Sequence, residues 1–371
     1  MTRRRFSQRF PAGLAAVPIL TEAALAQRAA VPGAVPPGAV WLNANENPDG
    51  PPQAAIEAMV KVLPESGRYH YQEYKEFYAE VARSEGMEPD TLLIGSGSSE
   101  VLQAAVHAFT GPDRPLIQPD PTYESVAAVA EALGRKVIRV PLRPDYTADV
   151  RKLAAEADRA GGGLIYLVNP NNPTSAINPK TDLDWLVSNL PKNTILLHDE
   201  AYIHFSESKE MASALPHVKA GANVVVTRSY SKIYGMAGLR AGAAYGRPDL
   251  INRMAPFRNN VISIVAVRAL LAAIAVRDRF LPERRARYNG IRRDVCGWLE
   301  SKGVRFIEPH ANFIMVDLGG RDAREFIPKM VARGVAPGRP FPPLDRHMRV
   351  SVGTAADMEK FKRVFWEVYA G

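Results

Sequence analysis

The sequence has very little cysteine. Cys296 is the only one in 371 residues, which excludes an intrachain disulfide and any metal site built from several thiolates. It lies in an apolar, helix-like pattern, and we interpret it as a small core residue. The cellular compartment has to be read from other features.

Long hydrophobic runs and a strong overall charge bias are also missing. The apolar stretch 10–20 is too short to anchor the chain in a bilayer. The net charge is +8, but residues 1–30 hold five arginines against one glutamate, so half of that charge belongs to the terminus. The remaining surface bias is mild, and we do not expect nucleic-acid binding. There is no internal repeat and no Walker loop.

The first residues resemble an export signal. Residues 2–8, Thr-Arg-Arg-Arg-Phe-Ser-Gln, are similar to a twin-arginine motif, and Ala24-Leu-Ala26 offers small residues for cleavage. The interpretation is a signal over residues 1–26 and a periplasmic or secreted protein starting near Gln27. The alternative is a basic tail on a cytoplasmic protein.

The rest of the chain reads as an α/β protein with two domains. Hydrophobic content of 46% and charged content of 23% are typical of a soluble globular protein. Apolar runs alternate with helix-length segments, which predicts a mostly parallel sheet of seven strands. The strands are expected near 92–94, 116–118, 136–140, 164–168, 195–198, 224–227 and 241–245.

We place the domain limits where the amino-acid composition and the pattern of apolar residues change. The segment 27–40 is rich in proline and glycine and predicts a linker, and residues 41–70 are assigned to an N-terminal arm and part of a small domain. Residues 71–260 form the large domain, and 261–371 form a smaller α+β domain with helices at 262–277, 281–302 and 322–333. In open α/β sheets the site lies at the carboxyl ends of the strands.

One segment carries a candidate for covalent chemistry. Lys232 follows Ser229 and precedes Arg240 by eight positions. A desolvated lysine can form an imine with an aldehyde, whereas arginine stays charged and can anchor a phosphate. Taken alone, the segment is more typical of a polar loop with solvated cations.

Other strand ends carry polar residues that suit a small heterocycle. Ser98 and Ser99 open a helix, where backbone N–H groups can bind a phosphate, although a serine-capped helix explains them too. Tyr123 can stack on a planar ring, or belong to the core. Asn172 lies in an Asn-Pro turn and can donate to a ring oxygen, although turn formation alone explains its composition.

Asp199 ends a very apolar strand and can hold a proton on a ring nitrogen, while Tyr202 can reach a ring oxygen. A metal site at His198, Asp199 and Glu200 is disfavoured, since adjacent strand residues point to opposite faces.

These motifs together resemble a known family. The matching motifs are Asn169-Pro-Asn-Asn-Pro-Thr174, Asp199-Glu-Ala-Tyr202, Ser229-Tyr-Ser-Lys232 with Gly238-Leu-Arg240, and Arg349-Val-Ser-Val-Gly-Thr354. They are similar to motifs of class I/II pyridoxal-phosphate aminotransferases of fold type I. Within that class, Leu42-Asn-Ala-Asn-Glu-Asn-Pro48 resembles the histidinol-phosphate aminotransferase branch. The resemblance covers about residues 41–369.

The resemblance implies a role for each matching residue. Lys232 binds the cofactor covalently, Asp199 pairs with its ring nitrogen, Tyr123 stacks on the ring, and Asn172 and Tyr202 contact the ring oxygen. Tyr69 would reach the phosphate of a neighbouring subunit, which implies a homodimer. The phosphate is bound by Ser98, Ser99, Ser229 and Arg240, and the substrates, an amino acid and a 2-oxo acid, by Arg349, Asn47 and Arg339.

Some points remain open at the level of sequence. Ser175 stands where the family has glycine, and Tyr71 is an alternative to Tyr69. Arg339 is equally well explained as a solvated loop residue. A lyase or decarboxylase on the same fold, such as a phosphothreonine decarboxylase-like enzyme, is the alternative function; a secreted binding protein without turnover is a third. Export fits poorly with histidinol phosphate as substrate, so an amino acid is preferred.

Overall fold

The computed structural model describes residues 35–371; the predicted export signal lies outside this range. A short strand, β1 (Val40–Leu42), precedes the large domain. The large domain contains seven further strands, and all seven occur where the apolar runs predict them. They are β2 (Leu92–Gly95), β3 (Leu116–Asp120), β4 (Val137–Pro141), β5 (Gly163–Val168), β6 (Thr194–Asp199), β7 (Val224–Ser229) and β8 (Gly242–Gly246).

These seven strands form one sheet in the order β2-β8-β7-β6-β5-β3-β4. β8 is antiparallel to both of its neighbours, and the other pairs are parallel. Six strands therefore present their carboxyl ends at one edge of the sheet, where open α/β sheets carry their sites. The mostly parallel sheet is as predicted.

Helices cover both faces of the sheet. Within the described residues, nine helices precede the small domain or connect to it: α1 (Gln53–Val62), α2 (Tyr74–Ser84), α3 (Ser98–Phe109), α4 (Ser125–Ala132), α5 (Val150–Arg159), α6 (Lys180–Ser188), α7 (Leu215–Lys219), α8 (Pro248–Met254) and α9 (Ile264–Ala275). Helices α3, α4 and α8 pack on one face, and α2, α5 and α6 on the other.

Strand periodicity assigns each side chain to a face. In β6, Leu197 packs in the core beneath α3 and α4, whereas Leu196 packs in the core on the other side. Because side chains alternate along a strand, Asp199 continues the first set, and His198 and Glu200 continue the second. This alternation places Asp199 on one face of the sheet and a buried ionic network of His198, Glu200 and Arg228 on the other.

The small domain has its own core. Its long helix begins at Arg277 rather than at the predicted Leu281, since Pro282 obscures the first turns in the sequence pattern. The elements of this domain are α10 (Arg277–Ser301), β9 (Phe306–Ile307), β10 (Phe313–Asp317), α11 (Ala323–Ala332), β11 (Val335–Pro337), β12 (His347–Ser351) and α12 (Ala355–Ala370). The helices pack on an antiparallel sheet, β9-β10-β12, while β11 pairs in parallel with β1, a pairing that the sequence did not predict.

Cys296 is partly buried against this core, and burial raises the pKa of its thiol to about 12. A thiol of this kind is unreactive, which agrees with its interpretation as a packing residue. Within residues 35–371 there is no helix of the length and apolarity needed to cross a membrane.

Candidate active site

The candidate site lies at the edge of the sheet where the parallel strands have their carboxyl ends, after β2, β6 and β7. Asp199 is the last residue of β6, Ser229 is the last residue of β7, and Ser98 opens α3 directly after β2. Lys232 follows three residues after the end of β7. The sequence-predicted residues on these strands therefore share one edge because the strands are parallel.

Asp199 is a buried carboxylate with neutral hydrogen-bond donors. Its Oδ2 accepts a hydrogen bond from the Tyr166 hydroxyl at 3.0 Å, and its Oδ1 accepts one from the Ala201 amide at 3.1 Å. No lysine or arginine of the described chain forms a salt bridge with it, and burial raises its pKa. A buried carboxylate of this kind is stabilised by a cationic partner such as a protonated ring nitrogen.

Tyr202 connects the lysine to two asparagines. Its hydroxyl accepts hydrogen bonds from Asn45 Nδ2 at 3.2 Å and from Asn172 Nδ2 at 3.3 Å. Lys232 Nζ lies 5.7 Å from the centroid of the Tyr202 ring and donates to the Ala44 carbonyl at 3.3 Å. Asp199 bonds a different tyrosine, Tyr166, and the ends of β6 and β7 place Asp199 and the segment of Lys232 at the same edge of the sheet.

An anion cradle lies beside this group. Gly97 has a φ of 81°, and a Cβ atom there would lie 2.2 Å from Arg240 Nη2. A Cβ atom on Gly242 would lie 2.1 Å from the Ser98 amide nitrogen. Only glycine permits these approaches, and they bring Arg240 against the N-terminus of α3. The amide dipoles and the guanidinium both favour an anion there.

Arg349, on β12, forms the opposite wall. It is 7% exposed; its Nη1 donates to Asn172 Oδ1 and its Nη2 to the Asn43 carbonyl, both at 2.6 Å. Its Nε has no hydrogen-bond partner among residues 35–371, and burial lowers its pKa to about 10. Arg349 is thus a buried cation whose acceptors in the described chain are neutral oxygens.

Asn47 is buried, and its side chain is used within the chain. Its Nδ2 donates to the Ile233 carbonyl at 3.1 Å, and its Oδ1 accepts from the Tyr288 hydroxyl at 2.7 Å. These bonds attach the segment after Lys232 to α10. The substrate contact assigned to Asn47 remains a prediction, while its observed contacts position the lysine segment.

The remaining predicted residues lie at the margins of the cluster. Tyr123 is partly buried and packs against the core beneath α3 and α4. Tyr69 is 67% exposed and stacks on Tyr71, with ring centroids 5.1 Å apart. Arg339 is partly exposed and forms an ion pair with Glu124.

Several contacts were not foreseen from the sequence. Tyr166, on β5, binds Asp199, and Asn45 binds Tyr202; Asn43 contributes only its carbonyl. The Asn-Ala-Asn spacing in the N-terminal arm was a visible signal. Tyr166 lay inside an apolar strand, and only the pairing of β5 with β6 reveals its role.

The residues of this edge fit pyridoxal 5'-phosphate. An aldehyde requires an amine, supplied by Lys232; a pyridine nitrogen suits the buried Asp199; and the phosphate suits the cradle at Gly97 and Arg240. The fold and this set of groups define a pyridoxal-phosphate-dependent enzyme.

The chain belongs to the class I and II aminotransferase family, whose model it matches over residues 37–365. It is thus an aminotransferase that uses pyridoxal phosphate, with the type I fold of that group. It is 31% identical to the histidinol-phosphate aminotransferase of Moorella thermoacetica over 345 residues, covering 89% of this chain and 86% of the relative.

One further related sequence and one solved structure are also similar to this chain. It is 32% identical to the aromatic amino acid aminotransferase of Cutibacterium acnes over 302 residues, covering 80% of this chain and 84% of the relative. The crystal structure of histidinol-phosphate aminotransferase from Sinorhizobium meliloti in complex with pyridoxal 5'-phosphate superposes with a TM-score of 0.86 at 25% identity, covering 98% of this chain and 99% of that one.

Proposed function

We propose that this aminotransferase acts on α-amino acids whose carboxylate is bound by Arg349. The observation that carries this proposal is a buried guanidinium with only neutral acceptors in residues 35–371. A buried cation is costly unless an anion neutralises it, and a carboxylate accepts two parallel hydrogen bonds from arginine. One of the similar proteins is named for aromatic amino acids, which is in line with such a substrate. Histidinol phosphate offers a phosphate instead of a carboxylate, and arginine binds that group as well, so the experiment has to separate the two substrates.

Each side chain of the site has its own role in the proposed reaction. Arg349 orients the amino acid, and Lys232 Nζ, held beside Tyr202, removes the proton from the α-carbon. Asp199 would hold the positive charge of a ring nitrogen, and the hydroxyl of Tyr202 with the amide of Asn172 would hold the ring oxygen. When bound, pyridoxal phosphate supplies the electron sink for the α-carbanion.

The phosphate is assigned to the cradle. Ser98 and Ser99 offer amides at the start of α3, Ser229 offers a hydroxyl at the end of β7, and Arg240 offers a permanent charge. Tyr123 is assigned to the ring face. The positions of Ser98, Ser229 and Arg240 around one edge of the sheet support this proposal.

A screen of amino acids with the holoenzyme tests the proposal. Conversion of the bound cofactor to its amine form is followed by absorbance, and the products are analysed for 2-oxo acid and for carbon dioxide. The proposal predicts oxo acid in equal amount to the converted cofactor, with α-amino acids reacting and histidinol phosphate not. Carbon dioxide as the product would support a decarboxylase instead.

We also propose that the protein is a homodimer with shared sites. Helix α1 buries Ala55 and Val62 but exposes Ile56 and Val60, and Leu63 follows them at the surface. The stacked Tyr69–Tyr71 pair lies a few residues further on. Large exposed apolar side chains on one stretch of chain are typical of an interface, and a second copy is the occupant that would place Tyr69 at a neighbouring phosphate.

Export through a twin-arginine signal is proposed on the arginines near the N-terminus. A protein that folds around its cofactor before export would suit that route. N-terminal sequencing of the protein from the periplasm should give a chain that starts near Gln27. A cytoplasmic protein with an intact Met1 would exclude export.

A further inference from the structure

We propose that Glu124 is a specificity-determining residue that disfavours amino acids with anionic side chains. The inference rests on the proposed function, because it needs the substrate carboxylate on Arg349. Its basis is an ion pair that joins the two domains beside that arginine: Arg339 Nη2 donates to Glu124 Oε2. Arg339 belongs to the segment between β11 and β12, whereas Glu124 directly precedes α4 of the large domain.

The Arg339–Glu124 pair is close to Arg349, because both arginines contact the ring of Phe341. The Phe341 ring is buried, with its centroid 4.2 Å from Arg339 Cζ and 4.5 Å from Arg349 Cζ. The same segment is fixed on β12, since the Gly338 amide donates to the Arg349 carbonyl at 2.8 Å. Arg339 therefore keeps a constant position relative to the buried guanidinium, within reach of the side chain of an amino acid bound there.

Glu124 supplies the anion that a substrate would otherwise provide. Arg339 and Glu124 have side chains that are 31% and 40% exposed, and Arg339 also donates to the Pro340 carbonyl at 2.7 Å. An anionic side chain arriving at Arg339 has to displace the Glu124 carboxylate and meets its negative charge. A neutral side chain leaves the Arg339–Glu124 pair in place. The pair thus selects against a second negative charge on the substrate.

The charge balance of the cleft supports this assignment. Asp199 is the charge opposite the cofactor ring, and Arg349 is assigned to the substrate carboxylate, so Arg339 is the additional cation on this wall. Because Glu124 neutralises it inside the chain, a neutral amino acid completes the pairing of charges, whereas an acidic one leaves an unpaired carboxylate. Like charges brought together at a partly buried site cost binding free energy.

The test compares acidic and neutral amino acids in the half-reaction of the holoenzyme. L-Aspartate and L-glutamate are measured against L-phenylalanine and L-tyrosine, and the ratio of their kcat/KM values is the readout. Glu124→Gln should shift this ratio toward the acidic substrates by about ten-fold or more. Adding Arg339→Gln to that variant should cancel the shift, because the cation that binds the acidic side chain is then gone.

Glu131→Gln is the matched control. Glu131 lies on α4, close to Glu124 in sequence, and pairs with Arg139 at the surface, so its loss should leave the ratio as in the wild type. An unchanged ratio in Glu124→Gln, or an equal shift in Glu131→Gln, overturns the inference alone. A wild-type holoenzyme that converts no amino acid of either kind overturns the proposed function and this inference with it.

Discussion

Glu200 and Arg228 form a buried ion pair on the face of the sheet opposite to Asp199. Arg228 Nη2 lies 2.8 Å from Glu200 Oε2; Glu200 directly follows β6, and Arg228 is the next-to-last residue of the neighbouring strand β7. Glu200 also accepts hydrogen bonds from the Ser213 hydroxyl and the Ala214 amide. The pair therefore fixes the two strand ends that carry Asp199 and Ser229, without contact with the site itself.

Glu200→Gln should destabilise the protein by about 3–5 kcal/mol at pH 7, because the buried Arg228 then keeps only its longer ion pair with Glu85, at 3.8 Å. Urea unfolding measures the change. The matched control is Glu80→Gln, which removes an exposed ion pair with Arg83 on α2 and should cost less than about 1 kcal/mol. Equal losses in the free energy of unfolding would show that the Glu200–Arg228 pair stabilises the protein no more than an exposed ion pair does.

The same pair predicts a dependence of stability on pH. Burial opposes ionisation of Glu200, but Arg228 and the hydrogen bonds lower its pKa from 4.5 to about 2. The stabilisation is thus present above pH 4.5 and is lost as the pH falls toward 2, in total about 3 kcal/mol. Glu200→Gln should show a smaller loss of stability over this window. The same acid dependence in both proteins would contradict the assignment.

Asp199→Asn should slow the half-reaction at least ~100-fold, the factor that corresponds to about 3 kcal/mol of lost charge-assisted hydrogen bonding to the ring nitrogen. The fold should persist, since the asparagine oxygen can accept from the Ala201 amide while its NH2 group donates to the Tyr166 hydroxyl oxygen. Asp278→Asn, at a fully exposed position, is the control. Near-native turnover in Asp199→Asn would remove the carboxylate from the chemistry.

Arg349→Lys should raise KM for amino acids about 10-fold to 100-fold and change kcat less, because lysine cannot form the two parallel hydrogen bonds of a guanidinium. The absorbance of bound cofactor should stay as in the wild type. Arg346→Lys, three residues away and exposed, serves as the control. A rise in KM of the same size in both variants would indicate a general effect of charge near β12.

Val60→Asp should weaken the proposed dimer, since it places a charge among the exposed apolar residues of α1. Sedimentation at micromolar concentration should show a dimer for the wild type and a monomer for the variant, with loss of turnover if the sites are shared. Lys61→Asp, at the neighbouring exposed position, controls for added negative charge. A wild-type monomer with full turnover would exclude the dimer.

The sequence predicted the large sheet because its strands are short apolar runs buried on both faces, as in β5 and β6. It could not predict the β1–β11 pair, whose strands have three residues each and lie far apart in the chain. The Glu200–Arg228 pair was hidden for a similar reason. Two charged residues on different strands meet only through the register of β6 and β7.

Ser175 shows how a departure from a family pattern can be compensated. The sequence has serine where the family has glycine, and the turn keeps the left-handed φ of 65° that glycine favours. The Ser175 hydroxyl accepts hydrogen bonds from the amides of His310 and Ala311, at 3.0 and 2.8 Å. These bonds attach the turn that carries Asn172 to the segment before β10, and nothing in the local sequence indicates them.

The most direct test of the central claim is to reduce the holoenzyme with borohydride and locate the cofactor by peptide mass mapping. The account predicts one pyridoxyl group per chain, on Lys232, and neither the label nor measurable turnover in Lys232→Ala. A label on a different lysine, or a Lys232→Ala variant that converts amino acids at the wild-type rate, would contradict it.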